Sequence, residues 1–534
     1  MLASAAGSGT RAAATTGLAS AAPTCGSFAL GTLPSVGGSG GGSNFSGISL
    51  ASPSDQWAVG DEFDASLGVH RTLTEHFDGH SWTVVPSPNG PEPAGTSPMN
   101  NGLNDVSMGS GSGWAVGYAL VPTGSSPAYQ ALAMRWDGGS WTLAPPPTPN
   151  AAADAILTGV DTVGAGEAWT VGYQTNAAGV RRTLIEHATG LTWARTTSPN
   201  DGTPNNKDNT LMSVSGSMAT GLWAVGYRQS PTGLRPLVLR YDTSSPAPSW
   251  ISVSGAGAVP SPGKVETVLT DVDVRTSSDV WAVGYYDHGS GQRPLALHWD
   301  GEAWRISWVP GIGLLRDVRA VSASNVWAAG TYYSSAEGRT KTLIVHFDGT
   351  SWTAVASADA TAPKADELIG VATSGDGSTV TAVGSAGTGP LVETAACGSG
   401  AVSIPPRTSP AAAPAPVAPA TGPAPSPPAP TPTPVTPRKV TITDQAGAAG
   451  IGEAGIAGPT WSAAVGDFNN DGWPDLFVGH HGNPGHLWIN HKDGTFSEID
   501  GGFFAGLDRH DCETGDFNRD GRLDMFCSVG ADRG

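Results

Sequence analysis

Trp57-Ala58-Val59-Gly60 returns as Trp114-Ala115-Val116-Gly117, Trp169-Thr170-Val171-Gly172, Trp223-Ala224-Val225-Gly226, Trp281-Ala282-Val283-Gly284 and Trp327-Ala328-Ala329-Gly330, then fades to Thr381-Ala382-Val383-Gly384. A phrase that recurs every 46 to 58 residues marks stacked supersecondary units. Working outward from it, each full copy carries four short apolar phrases. One copy reads Leu315-Arg316-Asp317-Val318, Val326-Trp327-Ala328-Ala329-Gly330, Thr342-Leu343-Ile344-Val345-His346-Phe347 and Trp352-Thr353-Ala354-Val355, with an Asp348-Gly349 turn between the last two. Four strands joined by turns make a small antiparallel sheet that cannot bury both faces alone. Stacking the copies around an axis buries them, which predicts an all-β fold with a seven-bladed β-propeller over residues 23–403.

A second tryptophan follows the first by 23 to 27 residues in each of six copies, as in Trp57/Trp82 and Trp327/Trp352, so the pairs hold 12 of the 18 tryptophans. A residue fixed at one place in every copy predicts packing between sheets rather than a binding platform. The same reading covers His76, His187, His298 and His346, which sit in separate copies and cannot converge on one metal.

The seventh copy lacks a fourth strand after Leu391-Val392-Glu393-Thr394. Phe28-Ala29-Leu30-Gly31-Thr32-Leu33-Pro34-Ser35 resembles the fourth strands that end in Val85-Pro86-Ser87-Pro88. The N-terminal strand is therefore expected to complete the last blade and close the ring, removing exposed edges. Cys25 and Cys397 would then be neighbours, and a bridge between them is expected; two unrelated buried thiols is the alternative. Closing a loop of that length is worth about 5 kcal/mol in the chain-entropy treatment.

The chain has 534 residues, enough for more than one domain, with a formal net charge of −19 and charged residues at only 14%. So few clustered Lys and Arg argue against nucleic acid or an anionic membrane as partner, and the acidity suits cations. No run of about 20 apolar residues exists to span a bilayer. Residues 1–22 read as a disordered leader or the end of a signal peptide whose front is missing. Residues 404–438 are nearly all Pro, Ala, Thr and Ser, a polyproline II spacer that can hold two domains up to roughly 100 Å apart. The few cysteines fall where two bridges can form, which favours an oxidising compartment.

Residues 439–534 bring different chemistry. Asp467-Phe468-Asn469-Asn470-Asp471-Gly472-Trp473-Pro474-Asp475 repeats 49 residues later as Asp516-Phe517-Asn518-Arg519-Asp520-Gly521-Arg522-Leu523-Asp524. Oxygen side chains at positions 1, 3, 5 and 9 surround one centre, Gly at position 6 permits the bend, and position 7 offers a carbonyl. That donor set suits Ca²⁺. An EF-hand shares the opening of this pattern but needs flanking helices and Glu at position 12, where Val478 and Cys527 stand. The flanks Ala463-Ala464-Val465-Gly466 and Leu476-Phe477-Val478-Gly479 predict strands, so each loop should cap a β-hairpin. Cys512 and Cys527 flank the second loop and are expected to bridge across it. His480, His481, His486, His491 and His510 read as surface turn residues, because oxygen donors form the repeated set.

The repeated Trp-Ala-Val-Gly strand resembles bacterial kelch-like or WD-like propeller repeats. The calcium loops resemble the FG-GAP or VCBS repeats of integrin-type propellers. Ile442-Thr443-Asp444-Gln445-Ala446-Gly447, Leu487-Trp488-Ile489-Asn490 and Asp493-Gly494-Thr495-Phe496 narrow that likeness to the cartilage acidic protein (ASPIC/UnbV-associated) branch. The resemblance implies Ca²⁺ held by Asp467, Asn469, Asp471, the Trp473 carbonyl and Asp475, and by Asp516, Asn518, Asp520, the Arg522 carbonyl and Asp524. It also implies an extracellular setting and no catalytic residue. Two such repeats are too few to bury a common core, so this part is expected to be a truncated segment of a longer repeat domain, or else poorly folded by itself.

Two functions remain. The first is a non-enzymatic, secreted or surface-attached bacterial protein, monomeric, that binds a protein or carbohydrate ligand in adhesion. The second is a carbohydrate-active enzyme with catalytic carboxylates in loops such as Asp61 to Asp64 or Asp201 to Asp208. No sialidase-type box is present, and no arginine cluster or paired carboxylates are expected to meet at a pocket.

Overall fold

The computed structural model describes most of residues 24–398, leaving out 35–41, 93–96, 148–152, 202–206, 359–364 and several one- or two-residue turns. In the C-terminal part it describes 460–466, 468, 473–480, 486–490, 495–499, 509–515 and 524–529. The expected leader and the Pro-rich spacer lie outside the described residues.

The described residues are all-β, without a helix. The four phrases of the copy quoted above become the strands Leu314–Ser322, Asn325–Ser334, Arg339–Phe347 and Trp352–Val355, joined in chain order into one antiparallel sheet. Five further sheets have the same order, beginning at Asn44, Asn101, Ala155, Asn209 and Glu266. The fold is thus a propeller-like row of repeated four-stranded sheets. The first strand of each sheet touches the first strand of the next, and Asp366–Thr373 in turn touches Asn44–Ser52.

The repeat phrase can be read in physical terms. Each first strand carries a β-bulge at one place, for example between Leu211 and Ser213 or between Leu315 and Asp317. The glycine of the phrase lies against the backbone just before it. A Cβ on Gly226 would stand 2.1 Å from the Thr210 carbonyl oxygen, and on Gly284 2.0 Å from that of Val268. No side chain fits there, so Gly closes the motif because the bulge pushes one backbone against the other.

The tryptophans pack between sheets, as expected. In the first five copies the second-strand Trp meets the fourth-strand Trp of the following sheet edge to face, as Trp57 does Trp141 at 5.5 Å, Trp223 does Trp304 at 5.3 Å and Trp281 does Trp352 at 5.6 Å. On its other side the Trp stacks on the histidine of its own third strand, as His298 does on Trp281 at 4.4 Å and His346 on Trp327 at 4.2 Å. The imidazole Nε2 bonds the residue two before the Trp, Asp279 or Asn325, which also accepts the indole N–H. His76 and His187 are held in the same way by Asp55 and Glu167. Where the copy lacks the histidine, Arg240 lies over Trp223 instead. These histidines are structural.

The last sheet is built differently. Thr379–Ala386 and Gly389–Gly398 follow Asp366–Thr373, and the outer places are taken by Thr24–Cys25 and Ala29–Leu30 from the other end of the chain. Cys25 pairs with Cys397 and the two are disulfide-bonded, while Ala29 and Leu30 pair with Thr394 and Glu393. The strand and its disulfide fall where the sequence places them. Phe28 then offers Trp327 the aromatic edge that a fourth-strand Trp offers elsewhere, at 6.0 Å.

Candidate functional site: the axial cavity and the C-terminal hairpins

The first strands of the sheets line a cavity of about 680 Å³. The bulge decides what faces it, because the residues just after the bulge and two beyond project inward. At these places the copies differ: Asp105, Gly159, Ser213, Asp271 and Asp317 at the first, Ser107, Asp161, Ser215, Asp273 and Arg319 at the second.

Each of the five carboxylates accepts a backbone N–H from the next sheet in the chain. Asp105 takes Val160, Asp161 takes Gly216, Asp271 takes Val318, Asp273 takes Ala320 and Asp317 takes Val371, at 2.7–2.9 Å. Hydroxyls reinforce this belt, with Thr158 donating to the Leu211 carbonyl and Thr270 to that of Leu315. The carboxylates are therefore framework first, stitching sheet to sheet.

A single guanidinium sits among them. Arg319 Nη1 lies 3.3 Å from Asp317 Oδ1 and 3.5 Å from Asp271 Oδ2, and donates to the Val318 carbonyl at 2.9 Å. Burial by itself would lower the Arg319 pKa, but Asp317, Asp271, Asp273 and Asp105 together raise it. For Asp105, Asp161, Asp273 and Asp317, burial is the largest influence. It pushes Asp105 up to about 7 and Asp161 to about 6, against the pull of their amide donors and Arg319. Asp273 is raised for the same reason, and Asp317 well above the carboxylate range by burial and the Asp271 carboxyl beside it.

One end of the cavity is aromatic. Tyr118, Tyr173, Tyr227 and Tyr285 follow the repeat glycine in four successive copies, and the first three line the cavity. The Arg181 guanidinium lies 4.5 Å over the Tyr173 ring and donates to the Tyr227 hydroxyl at 3.2 Å. Burial pushes the Tyr118 phenol up to about 12. Arg316, a bulge residue, also lines the cavity.

This corrects one expectation: carboxylates and arginines do meet at a pocket. The signal lay in the phrase Leu-x-Asp-Val at Leu103-Asn104-Asp105-Val106, Leu269-Thr270-Asp271-Val272 and Leu315-Arg316-Asp317-Val318. Read as an ordinary strand it puts each acid on the face of the buried Leu two residues before; the bulge separates the two and turns the acid to the axis. The loop carboxylates suspected of catalysis are held elsewhere. Asp61 accepts Asn44 Nδ2 and pairs with His70, and Asp64 caps its own turn through Ser66 and Leu67. Asp201 accepts the Ser252 hydroxyl, and Asp208 the Arg181 amide.

In the C-terminal part, Thr460–Gly466 and Asp475–His480 form an antiparallel pair with Gly466 opposite Asp475. Arg509–Gly515 and Asp524–Val529 repeat that register, with Gly515 opposite Asp524. Both repeated Asp-rich loops are thus flanked by strands, as expected, and Cys512 stands opposite Cys527 in the backbone ladder. Asp467, Asn469, Asp471, Asp516, Asn518, Asp520 and Arg522 lie outside the described residues, as do His481 and His491 and the side chains of Asp524, Cys512, Cys527, His480 and His510. Trp473 is exposed. Asp475 is buried, and its two oxygens accept the amides of Phe468 and Asn490, each at 2.9 Å. This residue ties the loop shut and links it to the strand His486–Asn490. Among the described residues no group of three or more His, Cys, Asp or Glu is placed to hold a metal ion.

Residues 451–527 match the FG-GAP-like repeat family, a span that holds both loop motifs. No curated protein matches the chain. Among solved structures it is similar to YCF48 bound to a D1 peptide, at 15% identity and TM-score 0.41, covering 71% of this chain and 99% of that one. A protein of unknown function from Dyadobacter fermentans gives 11% identity and TM-score 0.38, over 70% and 99% of the two chains. Chaetomium thermophilum Sqt1 bound to the N-terminus of ribosomal protein L10 gives 13% and 0.35, over 65% and 83%. Among the described residues no helix is long and apolar enough to cross a membrane.

Proposed function

We propose that this chain is a non-catalytic ligand-binding protein of the bacterial cell exterior, working as a monomer. Its repeated sheets would form a seven-bladed ring closed by the N-terminal strand, followed by calcium-stabilised repeats of the ASPIC/UnbV-associated kind. The observation that carries this reading is the axial cavity: the scaffold around it repeats residue for residue, whereas its lining changes from copy to copy. Keeping the frame while varying a concave surface is what a recognition site requires. The closed ring is supported by the docking of Thr24–Cys25 and Ala29–Leu30 on the last sheet and by the Cys25–Cys397 bridge.

Calcium would act on rigidity. The oxygen donors of Asp467, Asn469, Asp471 and the Trp473 carbonyl suit a hard cation, as do Asp516, Asn518, Asp520 and the Arg522 carbonyl. The matching registers at Gly466–Asp475 and Gly515–Asp524 support two equivalent loops. Asp475, and Asp524 by analogy, would share their oxygens between loop amides and the ion.

Calorimetric titration of the full chain with Ca²⁺ tests the calcium reading. Binding weakened by Asp471→Ala and Asp520→Ala is expected, and no heat at all defeats it. Adhesion is tested by glycan and peptide arrays run beside a polysaccharide-degradation assay. Turnover abolished by changing loop carboxylates such as Asp64 or Asp201 would overturn the non-catalytic role.

A further inference from the structure

Resting on the ligand-binding reading, we propose that the aromatic end of the axial cavity binds a short acidic oligosaccharide, with its uronate carboxylate on Arg316. Three observations lead there. Tyr118, Tyr173 and Tyr227 present half-buried rings along one arc of the cavity, and the hydroxyls of Tyr118 and Tyr173 have no hydrogen-bond partner among the described residues. Ring faces with free hydroxyls at their edges suit the alternating C–H and O–H surfaces of a sugar. Arg316 is half-buried, lines the same cavity from the second sheet beyond that of Tyr227, and makes no ion pair or hydrogen bond among the described residues. A guanidinium left open in a partly dry site seeks a bidentate carboxylate.

The third observation is Thr210, opposite Tyr227 in the ladder. It is 1% exposed, lines the cavity, and its hydroxyl has no partner. A buried hydroxyl without a bond costs about 1–3 kcal/mol, which a ligand hydroxyl reaching it would recover. The rest of the wall is rich in Ser and Thr, with Ile156, Met212 and Ile369 as its larger aliphatic side chains. Such a surface suits a polyol better than the apolar anchors of a peptide. Arg181 is already committed to Tyr173 and Tyr227, so it positions the rings and leaves Arg316 as the anion contact. The volume falls within the few hundred to about 1,000 Å³ usual for small-ligand sites.

The test is calorimetric titration of the full chain, in calcium-free buffer so that metal chelation by the uronate does not contribute. The probes are trigalacturonate, maltotriose and tetraglutamate. Trigalacturonate is expected to bind once per chain and at least tenfold tighter than maltotriose. Arg316→Gln should remove that preference while leaving the melting temperature unchanged, and Thr210→Val should weaken both sugars. Trigalacturonate binding that is indifferent to Arg316→Gln overturns the site. Tetraglutamate binding that depends on Arg316, without sugar binding, overturns the sugar class and leaves the ligand-binding reading standing. No binding of any probe by the folded chain overturns this proposal, and the arrays named above then decide the broader one.

Discussion

The interfaces between sheets and the axis they surround are made by the same strands yet obey opposite rules. Between sheets, one solution recurs: Trp on Trp, His or Arg on the ring, Gly under the bulge. Along the axis the corresponding positions hold Gly, Ser, Asp or Arg, with polar bonds in place of apolar contact. The first surface specifies a fold that many sequences could share; the second distinguishes this chain. Four experiments press on that contrast.

The largest effect is expected where an interface breaks its own rule. Facing the residue after the repeat Trp (Ala, or Thr170 in one copy), the third strand places Met134, Leu239, Leu297 and Val345 in four sheets, but Glu75, Glu186 and Glu393 in the others. Glu186 is met by Arg195, and Glu393 by Ser357 and the Ala358 amide. Glu75 is fully buried with neither oxygen bonded, and burial, aided by Glu62, pushes it up to about 8. A folded-state pKa above the unfolded one means the fold prefers the protonated acid. Stability should therefore be full below about pH 4.5 and fall as pH rises toward 8, by up to about 5 kcal/mol for a shift of this size. The raised axial aspartates add to the slope. Melting curves from pH 5 to pH 8 should show the decline, and Glu75→Gln should flatten it; a flat profile in the parent chain refutes the assignment.

Next comes the one interface closed by covalent chemistry. Cys25→Ser with Cys397→Ser should cost about 4 kcal/mol in urea unfolding, somewhat below the chain-entropy figure. Because Phe28 reaches Trp327 through the same segment, hydrogen exchange in Gly389–Gly398 should rise first. Uniform exchange across all sheets would show that the bridge does not govern this edge.

The glycine rule is next. Gly226→Ala drives a methyl into the Thr210 carbonyl and should cost about 3 kcal/mol, whereas Gly255→Ala, with open space around its Cβ, should change stability by less than about 0.5 kcal/mol. Equal effects would remove the steric account of the repeat phrase.

These positions also show what the sequence can express. Period, strands per sheet and the docking of the Phe28 segment on the last sheet are legible because packing between equivalent sheets repeats the same residue types. The disulfide follows once Thr24–Leu30 is placed on the last sheet. The axis is not legible by the same route, since the bulge breaks the alternation between the buried Leu and the Asp two residues on. Asp317 reads as one polar residue in a strand; only the register shift between Leu315 and Asp317 reveals it as a neighbour of Asp271. In the C-terminal hairpins the repeated oxygen side chains are plain, yet the bonds that Asp475 accepts from the Phe468 and Asn490 amides reach the strand His486–Asn490, beyond the span of a loop motif.

The smallest effect separates charge from hydrogen bonding at the axis. Asp317 Oδ2 accepts the Val371 amide at 2.8 Å, which an Asn carbonyl can also do. Its other oxygen faces Arg319, itself shared with Asp271. If the carboxylate serves as framework, Asp317→Asn keeps the amide bond, relieves the crowding with Asp271 and should alter stability by less than about 1 kcal/mol. Asp317→Ala leaves a buried amide unbonded and should cost about 2 kcal/mol. If the negative charge itself holds the belt by neutralising Arg319, the order changes, because Asn removes that charge as fully as Ala does. Denaturant unfolding of the two variants side by side therefore decides whether the axis is stitched by geometry or by charge, and equal losses would favour charge.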